Sequence, residues 1–354
     1  MQPGKPFLTC RALRECLPSA REGTMFEGFQ RQWTPATLIS KLGKLPARVV
    51  VAGEPLVFFR DGTGTLHALI DRCPHRGVAL SNGRVNEQGH LQCPFHGWSW
   101  GADGVCKHVP LNDLPPETLA TMRAGRVPCV ERAAMAWVFT STEDIEPEPF
   151  PELPPAVEDP ALAFSRVQEE WDTHWTRAME NMLDSPHLPF VHRSTIGRGL
   201  VRSVARGETM ELFVEPAEFG FTFWSEVGGQ RMEGAFLEWR RPNGMVLHIP
   251  VPGRLFRQHV WCVPVGPKRV RMILISSRNF GLYNPLFKVM DLFNMRVLHE
   301  DRDVLASSDP PEVPHPSQEL SVRTDKPTLR FRAWYLKHLK GDPAFVAEDD
   351  SSVA

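Results

Sequence analysis

Cys73-Pro74-His75 and Cys93-Pro94-Phe95-His96 each bring one thiolate and one imidazole to a short segment, as C-x-H and C-x-x-H. A proline follows each cysteine, fixing φ and removing a backbone donor, and Gly77 and Gly97 follow the histidines closely. The pattern reads as two facing fingers at hairpin tips. Two cysteines and two histidines could hold zinc tetrahedrally. Zinc fingers, however, group cysteines with cysteines and histidines with histidines, whereas here each finger carries one of each. That mixture suits a [2Fe–2S] cluster in which one iron takes both thiolates and the other both imidazoles, neutral ligands that raise the potential. Zinc stands as the alternative.

A second constellation lies in ENMLDSPHLPFVH, which places Asn181, Asp184, His187 and His192 close together. On a helix, i to i+3 spacing keeps Asn181, Asp184 and His187 on one side, while i to i+5 would swing His192 away. Pro189 is expected to break the regular pattern and let both rings turn to one point. A carboxylate at Asp184 would then reach the free ring nitrogen of His187. Two histidines five apart do not by themselves make a metal site, and a 2-His-1-carboxylate centre needs a further acid. HEDRDVLASSDPP offers Glu300, Asp301 and Asp303.

The elements that must carry these residues follow from turn and periodicity signals. ARVVVAGEPLVFFRDGTGTLHALI reads as three strands, and further strand-like runs at HLQCPFHGWSW and CVERAAMAWVFTS extend a compact all-β domain over 25–145. An acid- and proline-rich linker is expected at 146–160. Helical spacing over Trp171, Trp175, Ala178 and Met182 opens a second domain, 161–342, which returns to strands over 205–280 and to an amphipathic helix from Asn284-Pro285. Residues 1–24 read as an extension, and 343–354 as a disordered tail. The fold class is α+β.

Composition narrows the function. Forty basic and 42 acidic residues give a net charge of -2, which argues against nucleic acid or an anionic membrane as partner. Thirty-three prolines in 354 residues point to loops and strand edges. Seven dispersed cysteines do not form a secreted disulfide framework, and Cys106, Cys129 and Cys262 read as buried thiols. His67 and His90 read as packed or surface residues. No signal-peptide core and no run near about 18 apolar residues occurs, so a cytoplasmic protein is expected.

DRCPHRGVALSNGRV and LQCPFHGWSW resemble the Rieske domain of Rieske non-heme iron oxygenases, and N-x-x-D-x-x-H-x-x-x-x-H is similar to that family's mononuclear iron motif. The resemblance implies a Rieske domain followed by a helix-grip (START-like) catalytic domain with an antiparallel sheet. It implies one [2Fe–2S] cluster on Cys73, His75, Cys93 and His96, and one non-heme Fe(II) on His187, His192 and Asp301, with O₂ as co-substrate. Asp301 matches the iron-binding aspartate of the family's acidic pair, although Ala306 and Ser308 stand where a Glu and a Gln commonly follow. Asn181 is a lesser site candidate. Asp184 is implied as an electron-transfer bridge to a cluster histidine, here His96, of a neighbouring subunit in a homotrimer.

With no G-x-G-x-x-G after a strand and no flavin fingerprint, electrons from NAD(P)H would come through a separate reductase, a ferredoxin, or both. The implied activity is hydroxylation, or demethylation through a hydroxylated carbon, of an aromatic or polycyclic small molecule in a pocket between the 205–280 sheet and the 284–308 helix. Cis-dihydroxylation is the alternative outcome. An electron-transfer Rieske protein and a zinc-stabilised binding protein are the rivals from other classes.

Overall fold

The computed structural model describes residues 25–142, 146–281 and 288–346. The N-terminal extension, the start of the helix at Asn284-Pro285 and most of the expected tail lie outside the described residues.

Eleven strands form the first part: β1 (Trp33–Leu38), β2 (Ala47–Val51), β3 (Glu54–Arg60), β4 (Leu66–Ile70), β5 (Arg84–Val85), β6 (Leu91–Gln92), β7 (Ser99–Trp100), β8 (Cys106–His108), β9 (Arg126–Val127), β10 (Cys129–Arg132) and β11 (Met135–Phe139). They make three small sheets, β1-β11-β10, β2-β3-β4-β9 and β5-β6-β7-β8, with the short helix α1 (Pro116–Thr121) beside β8. Leu56, Phe58, Ala68 and Val138 fill one core, and Val57, Phe59, Leu69 and Trp100 another. Consecutive residues of β3 thus point to opposite layers, as the two-residue period of a strand requires. Cys106 and Cys262 are buried and Cys129 partly so, all as free thiols. His67 is tied to Asp61 at 2.8 Å.

The second part is one antiparallel sheet in the order β12-β19-β18-β17-β16-β14-β13, with β15 on β14. Its strands are β12 (Ala163–Trp171), β13 (Met210–Ala217), β14 (Gly220–Val227), β15 (Gln230–Arg231), β16 (Phe236–Arg240), β17 (Gly244–His248), β18 (Phe256–Gly266) and β19 (Arg269–Arg278). Helices α2 (Trp175–Met182), α3 (Leu188–Val191), α4 (Arg198–Ala205), α5 (Lys288–Leu305), α6 (Lys326–His338) and α7 (Pro343–Val346) complete it. Trp171 is the last residue of β12, not the opening of a helix, because it pairs with Val270 in the sheet. The helix starts at Trp175 instead, where the Nδ1 of His174 accepts from the Thr176 amide. Burial pushes His174 down to about 4, so the ring is neutral and free to accept.

The side of the sheet bearing Trp239, Val260, Cys262, Met272 and Leu274 packs under α2, α5 and α6 in the largest core. Its other side, with Trp261, Val263, Ile273 and Ile275, meets Trp33, Trp137 and Phe139 of the first part and Leu153 and Val157 of the segment between. The acid- and proline-rich segment therefore lies against the sheet. Arg271 spans the junction, donating to the Ala36 and Val50 carbonyls at 2.7 and 3.1 Å and to Glu170 at 2.7 Å. Helix α6 was not expected from the sequence. Pro327 in its first turn and the buried Phe331, Tyr335 and Leu336 are the signals that marked it.

Candidate metal centres

The two fingers of the first part close with the same backbone bonds. Cys73 N donates to Val78 O and Gly77 N to Cys73 O, both at 2.8 Å; Cys93 N donates to Trp98 O at 2.8 Å and Gly97 N to Cys93 O at 3.1 Å. Gly77 and Gly97 sit at φ 74° and 71°, a region open to glycine at no steric cost, which lets each loop turn back on its cysteine. Asp71 braces the first finger by accepting from the Ser81 amide and hydroxyl, both at 2.7 Å.

The thiols point inward and the imidazoles outward. Cys73 and Cys93 are buried, His75 is half-buried and His96 is exposed. The His75 and His96 rings lie 4.7 Å apart, and Trp98 stacks on His75 at 4.3 Å. Burial pushes the Cys73 thiol up to about 11, and burial with the neighbouring His96 and Arg76 lowers His75, keeping it neutral as a ligand must be. No three donors of this set lie within 4.8 Å of one another. Ligands of a single tetrahedral zinc at about 2.0–2.3 Å would do so, so the set fits a larger, two-centre group.

The other centre is built on a single helical turn. His187 and His192 are the N- and C-terminal caps of α3, and Pro189 sits inside its first turn, where a missing N–H costs nothing. Pro189 therefore starts a turn instead of breaking one. Nor does a continuous helix carry Asn181, Asp184 and His187, since α2 stops at Met182. Asp184 still reaches the ring, with Oδ2 3.2 Å from His187 Nδ1 across the intervening loop. Gly197 seals the turn: its amide donates to His192 O at 3.0 Å, and a Cβ there would lie 1.8 Å from the Leu188 carbonyl oxygen.

Helix α5 brings the carboxylate. It is docked on β12 and β19 by Ser165 with Asp291, by Asn294 donating to Ser276 at 3.2 Å, and by His299 with Glu169 at 3.0 Å. Asn294 and Asp301, seven residues apart, share its inward side. Asp301 Oδ1 lies 2.9 Å from His192 Nε2 and 3.6 Å from His187 Nε2. Among the described residues, these three form the one group of metal-binding side chains with donors all within 4.8 Å. Asp301 is buried, and its Oδ1 faces the Nε2 atoms of both histidines, so that a cation bound between them would touch all three.

Glu300, considered from sequence only as a competing ligand, faces the other ring nitrogen, with Oε2 2.9 Å from His192 Nδ1 and accepting from Thr195 Oγ1 at 2.6 Å. Each histidine thus has a carboxylate on its Nδ1, fixing the ring and leaving Nε2 for the centre. Burial disfavours the charged form of His192, yet Asp301 and Glu300 outweigh it and raise its pKa. A cation at the same place would take over that stabilising role. Asn181 has a buried Nδ2 without a partner among the described residues, and Asp303, exposed and paired with Arg302, is apart from the centre.

The chain matches two family models: a Rieske [2Fe-2S] domain over residues 32–123, and the vanillate O-demethylase oxygenase C-terminal domain over 171–340. Dicamba O-demethylase, oxygenase component, of Stenotrophomonas maltophilia is 32% identical over 283 residues, 72% of this chain and 79% of that protein. The 3-chlorobenzoate-3,4-dioxygenase oxygenase subunit of Comamonas testosteroni is 35% identical over 181 residues, 50% of this chain. The chain spans only 41% of the length of that subunit and 55% of rice pheophorbide a oxygenase. Among solved structures, dicamba monooxygenase bound to dicamba superposes with a TM-score of 0.73 at 22% identity, covering 89% of this chain and 98% of that one. NdmA of Pseudomonas putida CBB5 gives 0.72 at 24%, covering 88% and 90%.

Proposed function

Because this chain belongs to the Rieske non-heme iron oxygenases, we propose that it is the oxygenase component of a multicomponent system that hydroxylates, or hydroxylates and so demethylates, a small aromatic molecule. The observation that carries this reading is the convergence of His187 Nε2, His192 Nε2 and Asp301 Oδ1 on one point. In it Cys73, His75, Cys93 and His96 hold the [2Fe–2S] cluster, and His187, His192 and Asp301 hold Fe(II). When bound, the cluster supplies one electron at a time and the ferrous ion supplies reductive O₂ chemistry at positions the three ligands leave open.

The chain's own residues do the rest. Asp184 and Glu300 fix the two imidazoles, and Asp301 supplies the negative charge that a divalent cation needs. Val167, Met182, Leu237, Leu247 and Met295 pack half-buried against the large core, apolar surface of the kind an aromatic substrate would need. The likeness to an O-demethylase over most of its length favours demethylation over dihydroxylation.

Electrons in this reading come from NAD(P)H through a separate reductase or ferredoxin. The working form is a homotrimer in the cytoplasm, where Asp184 meets His96 of a neighbouring copy. In support, His96 is exposed, the Asp184 side chain is 27% exposed, and Phe95, Phe190 and Ile196 present apolar surface beside the two centres. No helix among the described residues is long and apolar enough to cross a membrane.

The test is mass spectrometry of aromatic methyl ethers and related compounds incubated with the iron-loaded protein, a surrogate reductase, NADH and ¹⁸O₂. Substrate-dependent ¹⁸O incorporation or formaldehyde release is expected. Cluster reoxidation that never depends on any substrate would overturn the oxygenase reading in favour of an electron-transfer protein.

A further inference from the structure

Two tryptophans reach the first finger from the strand that follows the second. Trp98 and Trp100 stand two residues apart in the extended run into β7, so their rings turn to one side, 6.1 Å between centroids. Trp98 stacks flat on His75, at 4.3 Å and 7°. Trp100 goes deeper: it is 0% exposed and packs in one core with Cys73, Cys93 and Leu80. Its backbone is pinned inside the four-stranded sheet, between Leu91 of β6 and Cys106 of β8. The C-x-H finger is thus met at both of its ligands from the strand that leaves the C-x-x-H finger.

The Trp100 indole brings a donor into this core. Its Nε1–H is shielded from solvent and has no oxygen or nitrogen acceptor among the described residues. A buried indole N–H left without an acceptor is costly, so the sulfurs around it matter. Cys106, its neighbour across the sheet, turns its own thiol to the His108 carbonyl at 3.7 Å. Cys73 is different. Burial raises its thiol, and hydrogen bonding from the His75 backbone amide and from the Trp100 indole pulls it back down. A thiol accepts weakly, whereas an ionised sulfur accepts strongly. The indole therefore gains its full partner only when Cys73 is a thiolate, the form that binds metal.

We propose that Trp100 donates an N–H···S bond to the Cys73 thiolate and so sets the redox potential of the cluster. The assignment rests on the cluster reading given above. Two ferric irons, two sulfides, two thiolates and two neutral imidazoles sum to a neutral group, and the electron it accepts makes it a monoanion. A donor aimed at one of its sulfurs stabilises that added charge. Trp100 therefore raises the potential.

Pulsed EPR of the reduced full chain, grown with tryptophan carrying ¹⁵N in the indole ring, tests the bond directly. A ¹⁵N coupling to the cluster is expected, kept in Trp98→Phe and lost in Trp100→Phe. Redox titration gives an independent reading. At a fixed solution potential, Trp100→Phe should lower the ratio of reduced to oxidised cluster at least threefold, with iron and acid-labile sulfide at wild-type content. The sign separates the bond from packing, because a smaller ring that only let water in would stabilise the monoanion and raise the ratio. An unchanged or raised ratio, or a sulfide-replete wild-type cluster without ¹⁵N coupling, would overturn this proposal alone. Wild-type protein free of sulfide would overturn it together with the cluster assignment. Should Trp100→Phe fail to hold a cluster, the wild-type and Trp98→Phe spectra decide between the same two outcomes.

Discussion

Glu300 and Asp301, neighbours on one helix, address opposite nitrogens of the same imidazole: Glu300 Oε2 lies 2.9 Å from His192 Nδ1 and Asp301 Oδ1 2.9 Å from His192 Nε2. Adjacent acids are therefore not interchangeable. One orients the ring and the other shares the point at which the ring aims, a division that residue type alone does not reveal.

Their separate roles can be measured. Asp301→Asn should abolish tight Fe(II) binding and product formation while the visible spectrum of the cluster is kept. Glu300→Gln should retain iron with affinity reduced about tenfold to a hundredfold, the usual cost of disturbing a ligand's supporting contact. Chelator competition followed by iron analysis reads both. Full iron retention in Asp301→Asn would move the ligand to a neighbouring acid.

Replacing Cys93 by alanine should remove visible absorption and acid-labile sulfide together, and lower the yield of soluble protein, because group binding and folding of a small β domain are linked. Wild-type protein purified without oxygen that holds zinc and no sulfide would refute the [2Fe–2S] assignment.

Asp184→Asn preserves size and removes charge at the carboxylate 3.2 Å from His187 Nδ1. Both metals should stay bound while single-turnover reoxidation of a pre-reduced cluster, with O₂ and substrate present, slows by at least tenfold. A wild-type rate with full iron content would leave Asp184 a purely local contact.

Gly197→Ala forces a methyl group to within 1.8 Å of the Leu188 carbonyl oxygen unless the turn opens. A loss of about 1–3 kcal/mol in stability is expected. Because the displaced turn carries His187 and His192, the stabilisation that wild-type protein gains from added Fe(II) in a thermal melt should shrink as well. An unchanged response to Fe(II) would show that the turn relaxes without moving its histidines.

How much was legible in the sequence depended on how locally each site is made. The two fingers are closed by bonds within six residues, so Cys73, His75, Cys93 and His96 could be picked out from spacing alone. The histidine pair stood out only beside the first motif and through the resemblance, since two histidines five apart do not mark a metal site, and the turn between them was misjudged: a proline in a first turn supports the helix it was expected to break. Asp301 was reachable only by resemblance, since the contact with His192 is closed by a sheet and a helix more than a hundred residues on. The ring-orienting part played by Glu300 was not legible. Nor was α6, whose two arginines and two lysines mask an apolar stripe of Phe331, Tyr335 and Leu336.

Arg271 has a bearing on how fast such a molecule can work. Its guanidinium holds two carbonyls of the β-sheet domain and a carboxylate of the large sheet at once, and losing it would strand buried acceptors. A junction clamped in this way has no hinge, so the path between the two centres of one chain cannot be shortened by a swinging domain. On the trimer reading, electron flow is then governed by association between copies. Activity per chain becomes a function of protein concentration, falling on dilution as the ring comes apart even though every chain keeps its cluster and its iron.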